Sequence, residues 1–201
     1  MGKTKREREK QASQAPLTGT WTHAVRILLL SASVITVYLA LVTLAKGVEV
    51  PGCGPESDCE KVLSSPWAYW LGIPVSLPGL GLYAAFLINT FSLRPDEPEK
   101  ARRALNMLTL CACAMIGAAV WFVGVQAIIL EEFCPFCCTA HALASLGAVG
   151  FLCHAKGISS RLSMRLNLTR GIGAAVALVV VIAGVQLVAP TRLPPPKIVQ
   201  L

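Results

Sequence analysis

The chain has 201 residues, 54% of them hydrophobic and only 14% charged, with a mean hydropathy of +0.61. An ordinary soluble domain carries charge on roughly a quarter of its residues, so that class is excluded and the chain reads as an integral membrane protein. A formal net charge of +7 does not point to nucleic acid, because the basic residues are spread in a pattern that membrane topology explains.

Residues 1–22 carry the basic stretch Lys3-Thr4-Lys5-Arg6-Glu7-Arg8-Glu9-Lys10, are polar and aperiodic, and are expected to form a disordered tail. Uncharged runs then cover 27–45, 62–93, 104–130, 133–155 and 171–191, in all 122 of the 201 residues. Runs of roughly 18 or more apolar residues are long enough to cross hydrocarbon as helices. Four runs qualify directly. The run 62–93 contains Pro66, Trp67, Tyr69, Trp70, Pro74 and Pro78, so it reads as an interfacial aromatic segment leading into a span at about 73–92. The first run is too long for a cleaved signal peptide, and no small-residue cleavage site follows it before Lys46.

Fourteen of the 18 Lys and Arg residues fall before the first span, in 94–103 or in 156–170. The positive-inside rule therefore puts the N-terminus and those two loops in the cytoplasm, and the loop 47–72 and the tail 191–201 outside. That orientation sorts the eight cysteines. Cys53, Cys59, Cys134, Cys137 and Cys138 lie on the outer, oxidising side, where disulfides persist. Cys111, Cys113 and Cys153 lie toward the cytoplasmic ends of the third and fourth spans and are expected to be small buried apolar residues.

Cys134-Pro135-Phe136-Cys137 opens the fourth span. Its two sulfurs share one face of a first helical turn, where free backbone N–H groups and the positive dipole end stabilise a thiolate. Alone, the motif is also half a zinc site, with Cys53 and Cys59 as the other ligands, but metal ribbons seldom sit among apolar helices. Five residues separate Cys53 from Cys59 in a loop rich in Gly, Pro and acidic residues. A structural staple there is one reading; beside a second dithiol on the same side, a relay is the more economical one. Electrons pass between two pairs only if one sulfur attacks the other, and a flexible loop supplies that reach.

His141 follows Cys137 by four residues and Ser145 follows His141 by four, a polar stripe descending from the thiols into the bilayer. Intramembrane ionisable groups are functional candidates, although His141 also has the plainer role of bonding a neighbouring helix. Ser76 and Tyr83 on the second span and Gln126 on the third either complete a polar pocket or glue the bundle.

The ordered set Cys53, Cys59, Val62-Leu63-Ser64-Ser65-Pro66-Trp67, Gly72-Ile73-Pro74 and Cys134-Pro135-Phe136-Cys137 resembles the vitamin K epoxide reductase family in its bacterial form, over about residues 24–155. The resemblance implies an all-α integral membrane protein: a four-helix bundle (23–155) around a quinone site, a short half-helix capping the outer side, and a fifth transmembrane helix at 171–190. It implies that Cys53 and Cys59 are a shuttle pair, that Cys134 exchanges with Cys59, and that Cys137 faces the quinone. Ser65 matches the family's serine after the loop cysteines. Animal members have an asparagine and a tyrosine at the quinone oxygens; Val75 and His141 align there, which shifts recognition to His141 and Ser76, with Tyr83 near by.

The activity so implied is that of a thiol:quinone oxidoreductase in the bacterial plasma membrane, with menaquinone or ubiquinone as acceptor and no metal. Only 11 residues follow the fifth helix, so a separate DsbA-like, thioredoxin-fold protein is expected as the thiol partner. Cys138 is an extra thiol, idle or able to mispair with Cys134. A DsbB-like enzyme would carry its CxxC in the first outer loop, the opposite order. The remaining alternatives are a vitamin K epoxide reductase proper and a membrane scaffold with structural disulfides.

Overall fold

The structure is a computed structural model that describes residues 18–45, 58–163 and 168–188. Most of the N-terminal tail, the loop stretch 46–57 with Cys53, and the C-terminal tail lie outside the described residues. Five long or apolar helices form a membrane bundle: α1 (Thr20–Ala45), α3 (Ser76–Phe91), α4 (Pro98–Gly124), α5 (Pro135–Arg161) and α6 (Leu168–Val188). The short α2 (Asp58–Ser64) and a 3₁₀ turn (Pro66–Ala68) lie between α1 and α3.

α1 has no Gly or Pro from 20 to 45, and its 26 residues span about 39 Å at ~1.5 Å per residue. Its hydroxyls stay self-contained: Ser33, Thr36 and Thr43 donate to the carbonyls four residues back at 2.7–2.8 Å, as bilayer hydrocarbon demands. α4 and α5 both open on a proline at the first helical position, where the missing N–H costs nothing. α4 then widens into a π-helical turn, Val125–Leu130, closed by Glu131 at φ +54°.

The second span is shorter than the uncharged run suggests. Its helix covers 16 residues, because the aromatic segment ahead of it folds into a two-residue antiparallel ladder, β1 (Tyr69–Trp70) against β2 (Ile73–Pro74). Leu71 and Gly72 turn the chain at φ +53° and +83°, the positive φ at both central residues that a tight hairpin needs and that glycine supplies without strain. The aromatics are thereby folded inward. The third span, conversely, runs without a break in helix from Pro98 to Leu130.

The core is built on close approach of small residues. Ala101, Ala104, Ala112, Ala144, Ala148 and Ala155 are all buried, and α1 and α5 meet where the side chain of Leu29 lies directly over Gly147. Phe86 and Phe151 pack edge to face at 5.5 Å in the same core. In hydrocarbon such van der Waals fit, rather than water exclusion, holds helices together. Arg26 ties α1 to the end of α3: its Nε and Nη2 donate to the Thr90 hydroxyl (2.9 Å) and carbonyl (3.1 Å), and its guanidinium sits 3.9 Å from the Phe91 ring centre. Cys111 and Cys113 are buried as expected, whereas Cys153 is exposed on the outside of the bundle.

Candidate redox and acceptor site

Cys134 occupies the N-cap of α5. Its backbone is extended (φ −89°, ψ 109°) and its sulfur accepts the Cys137 backbone N–H at 3.3 Å. Sulfur here takes the place usually filled by a Ser or Asp oxygen. The Cys137 thiol hydrogen-bonded to that sulfur, helped by the backbone N–H groups of Cys137 and Phe136, holds Cys134 below the ordinary thiol range despite its burial. Of the two motif cysteines, Cys134 is thus the stabilised thiolate and the better leaving group.

Gln126 fixes the motif from behind. It is 2% exposed, lies in the π turn, and accepts the Cys134 backbone N–H on Oε1 at 2.8 Å. Its backbone carbonyl caps the end of α4 by accepting from Glu131 and Glu132, so one residue joins the end of α4 to the start of α5. The extra thiol Cys138 points at the same Oε1, 3.8 Å away. The sequence left Gln126 between lining a pocket and tying the bundle together; it is not among the cavity's lining residues, and it ties α4 to α5 as the acceptor that seats the CxxC turn.

Cys59, on α2, is 1% exposed, and Cys134 is 0% exposed. They share one apolar cluster with Leu39 and Val62, flanked by Tyr38, Phe136 and Cys137. Two stretches 75 positions apart in sequence are therefore packed together. Lys61 pairs with Glu132, pinning α2 to the chain just ahead of Cys134, and Lys61 on Glu132 holds that carboxyl below the usual carboxylate range. Cys59 is disulfide-bonded; the other six described cysteines are free thiols.

Immediately below the motif lies a cavity of about 390 Å³, within the range of roughly 300–1,000 Å³ usual for small-molecule sites. Cys137, His141, Ser76, Tyr83 and Val75 all line it. The His141 ring stacks on Phe122, centroids 5.8 Å apart and 14° from parallel. Ser65 stands apart: its hydroxyl donates to the Val62 carbonyl at 2.7 Å, where it closes the half-helix, and it is not among the lining residues. Thr36, Thr43, Tyr83 and His141 add polar groups to otherwise apolar walls, and two donors there, Ser76 Oγ and Trp70 Nε1, find no protein partner. A buried donor without a partner costs about 1–3 kcal/mol, so this pair calls for a ligand with acceptor oxygens and an otherwise apolar body. A quinone fits that description.

Trp70 was not foreseen as a site residue. Its place in an aromatic run suggested the headgroup level, and only the hairpin turns its indole inward. Among the described residues, no group of three or more His, Cys, Asp and Glu side chains could hold a metal ion.

A sequence model of the vitamin K epoxide reductase family matches residues 24–152, 129 of the 201. The chain belongs to this family, and membership makes it a membrane oxidoreductase of the thiol and quinone class.

Proposed function

From that membership, we propose that the protein is a thiol:quinone oxidoreductase that reoxidises a DsbA-like thioredoxin-fold partner outside a bacterial plasma membrane, with the CxxC end of the bundle facing outward. The observation that carries the reading is that Cys137 lines an apolar cavity with unpartnered donors while its partner Cys134 is packed with Cys59. One sulfur pair thus borders both a candidate acceptor and a candidate donor.

The reduced partner opens a Cys53–Cys59 disulfide by exchange and leaves oxidised. The Cys59 thiolate attacks Cys134 Sγ in the Cys134–Cys137 disulfide; the Cys59–Cys134 bond forms, and Cys137 leaves as a thiolate at the cavity wall. Cys53 then attacks Cys59, restores the first disulfide and releases Cys134, whose N-cap position stabilises the departing thiolate. Cys134 and Cys137 close their disulfide as two electrons and two protons leave for the acceptor. A bound quinone supplies the two-electron sink and departs as quinol.

Ser76 and Trp70 orient the acceptor through its oxygens, and His141, stacked on Phe122, donates a hydrogen bond from its neutral ring. Transfer from a protein dithiol to a quinone is downhill, since each ~30 mV gained in a two-electron couple is worth about 1.4 kcal/mol.

The test is quinone absorbance followed in detergent with a reduced thioredoxin-fold substrate. Wild type consumes quinone; Cys59→Ala, Cys134→Ala and Cys137→Ala fall to background. Consumption that persists in all three variants removes the proposal.

A further inference from the structure

The family match stops at residue 152, yet α6, beyond it, reaches the cavity. Leu178, Val179 and Ile182 line the wall, and with Gln186 they fall at helical spacing on one face. Gln186 is the single polar side chain between Gly171 and Val188. In a helix surrounded by hydrocarbon, such a group is expensive unless every hydrogen bond is made.

Gln186 makes them. It is 6% exposed; its Nε2 donates to the carbonyls of Trp67 (3.0 Å) and Tyr69 (3.2 Å), and its Oε1 accepts the indole N–H of Trp121 at 3.0 Å. The Trp67 and Trp121 rings meet edge-on beside it, 6.2 Å apart. The two carbonyls flank Ala68, and Ala68, Trp70, Val75 and Ser76 all border the cavity. The backbone of Gly117 lies so near α6 that a Cβ there would come within 2.9 Å of Val179 Cγ2, which keeps α4 and α6 in close contact.

We propose that α6 is a wall of the acceptor cavity and that Gln186 is a positioning residue, a latch that holds the segment 66–76, and with it Trp70 and Ser76, over the bound ring. The proposal rests on reading this cavity as the quinone site. Gln186 touches neither sulfur nor acceptor, so its loss acts on binding and leaves the sulfur chemistry intact.

Gln186→Leu removes all three bonds, and Trp121→Phe removes one while keeping an aromatic ring, so the second variant serves if the first does not fold. The full chain in detergent is measured in two ways. Hydrogen exchange of the 66–76 amides without quinone reads the latch directly. Tryptophan quenching by a tail-less naphthoquinone, together with turnover on dithiothreitol, gives Kd, KM and kcat. The expected result is faster exchange in 66–76 and a three- to tenfold rise in Kd and KM for Gln186→Leu, scaled to a few lost interhelical hydrogen bonds, with kcat within about twofold. Unchanged exchange and unchanged Kd in both variants overturn the latch. Wild-type protein that does not bind the naphthoquinone overturns the acceptor reading of the cavity, whatever the exchange data show.

Discussion

Replacing Gln126 by methionine keeps much of its shape and removes the acceptor that seats the CxxC turn. The Cys134 N–H lies 2.8 Å from Gln126 Oε1 on a residue with no exposed surface, and as an N-cap amide it has no carbonyl of its own helix to turn to. A buried donor left unmade costs about 1–3 kcal/mol, while interhelical hydrogen bonds in membrane proteins average nearer 0.6 kcal/mol and reach ~1.7 because the unfolded state also finds partners. The bond here lies within one turn-and-cap unit that cannot repair itself, so a loss of about 1–2 kcal/mol is expected. If the turn shifts to find another acceptor, Cys134 leaves its register with Cys59, and exchange slows by the corresponding factor of roughly 5–30. The assay pairs thermal unfolding in detergent with the rate of Cys59–Cys134 mixed-disulfide formation in a Cys137→Ala background. Gln126→Glu, which keeps an oxygen at the same place, should retain most of both. A methionine variant that matches wild type in stability and exchange, or a glutamate variant as poor as the methionine one, refutes the reasoning.

Gly147→Ala puts a methyl group into the Leu29 side chain and should lower stability by about 1–3 kcal/mol through overpacking; adding Leu29→Ala should recover part of the loss, and no change in the unfolding temperature would contradict the packing described. Ser76→Ala and Trp70→Phe remove unpartnered buried donors, so without quinone they should be neutral or stabilising, while quinone affinity falls about three- to tenfold; destabilisation without quinone and unchanged affinity would be the opposite of this account. The pH profile of Cys134 alkylation in the reduced protein follows from its place at the N-cap of α5. It is an acid whose folded-state pKa lies below its ordinary value, so its thiolate is present above that range and is lost as pH falls through the depressed value. The acid limb should therefore lie below the ordinary thiol region near ~8.5, and a limb at or above it would contradict the N-cap argument.

Much of the architecture was legible because hydrocarbon imposes a simple rule: uncharged runs must become helices. The packing of Cys59 with Cys134 in one cluster is compatible with the order of cysteines that the family resemblance supplied. What periodicity could not report is where isolated polar groups find partners. Gln126 and Gln186 stand as single amides in apolar runs, a sign that each has a task, but their partners at Cys134, Trp67, Tyr69 and Trp121 are chosen by packing between distant elements. Trp70 was missed as a lining residue for a related reason. An aromatic near a proline-rich entry suits the headgroup region, and only the backbone turn at Leu71 and Gly72, set by φ rather than by hydropathy, brings its indole to the cavity. Ser65, attractive by its place beside the half-helix, spends its hydroxyl on the Val62 carbonyl three residues back.

The relay itself is tested most directly by mass spectrometry of the Cys137→Ala protein after exposure to a reduced thioredoxin-fold partner and reoxidation. With the sulfur nearest the cavity removed, the chain should accumulate a peptide pair joined through Cys59 and Cys134, with Cys53 free for alkylation. Recovery of Cys134 as a free thiol, or joined to Cys138 while Cys59 remains bonded to Cys53, would contradict passage of electrons between the two pairs.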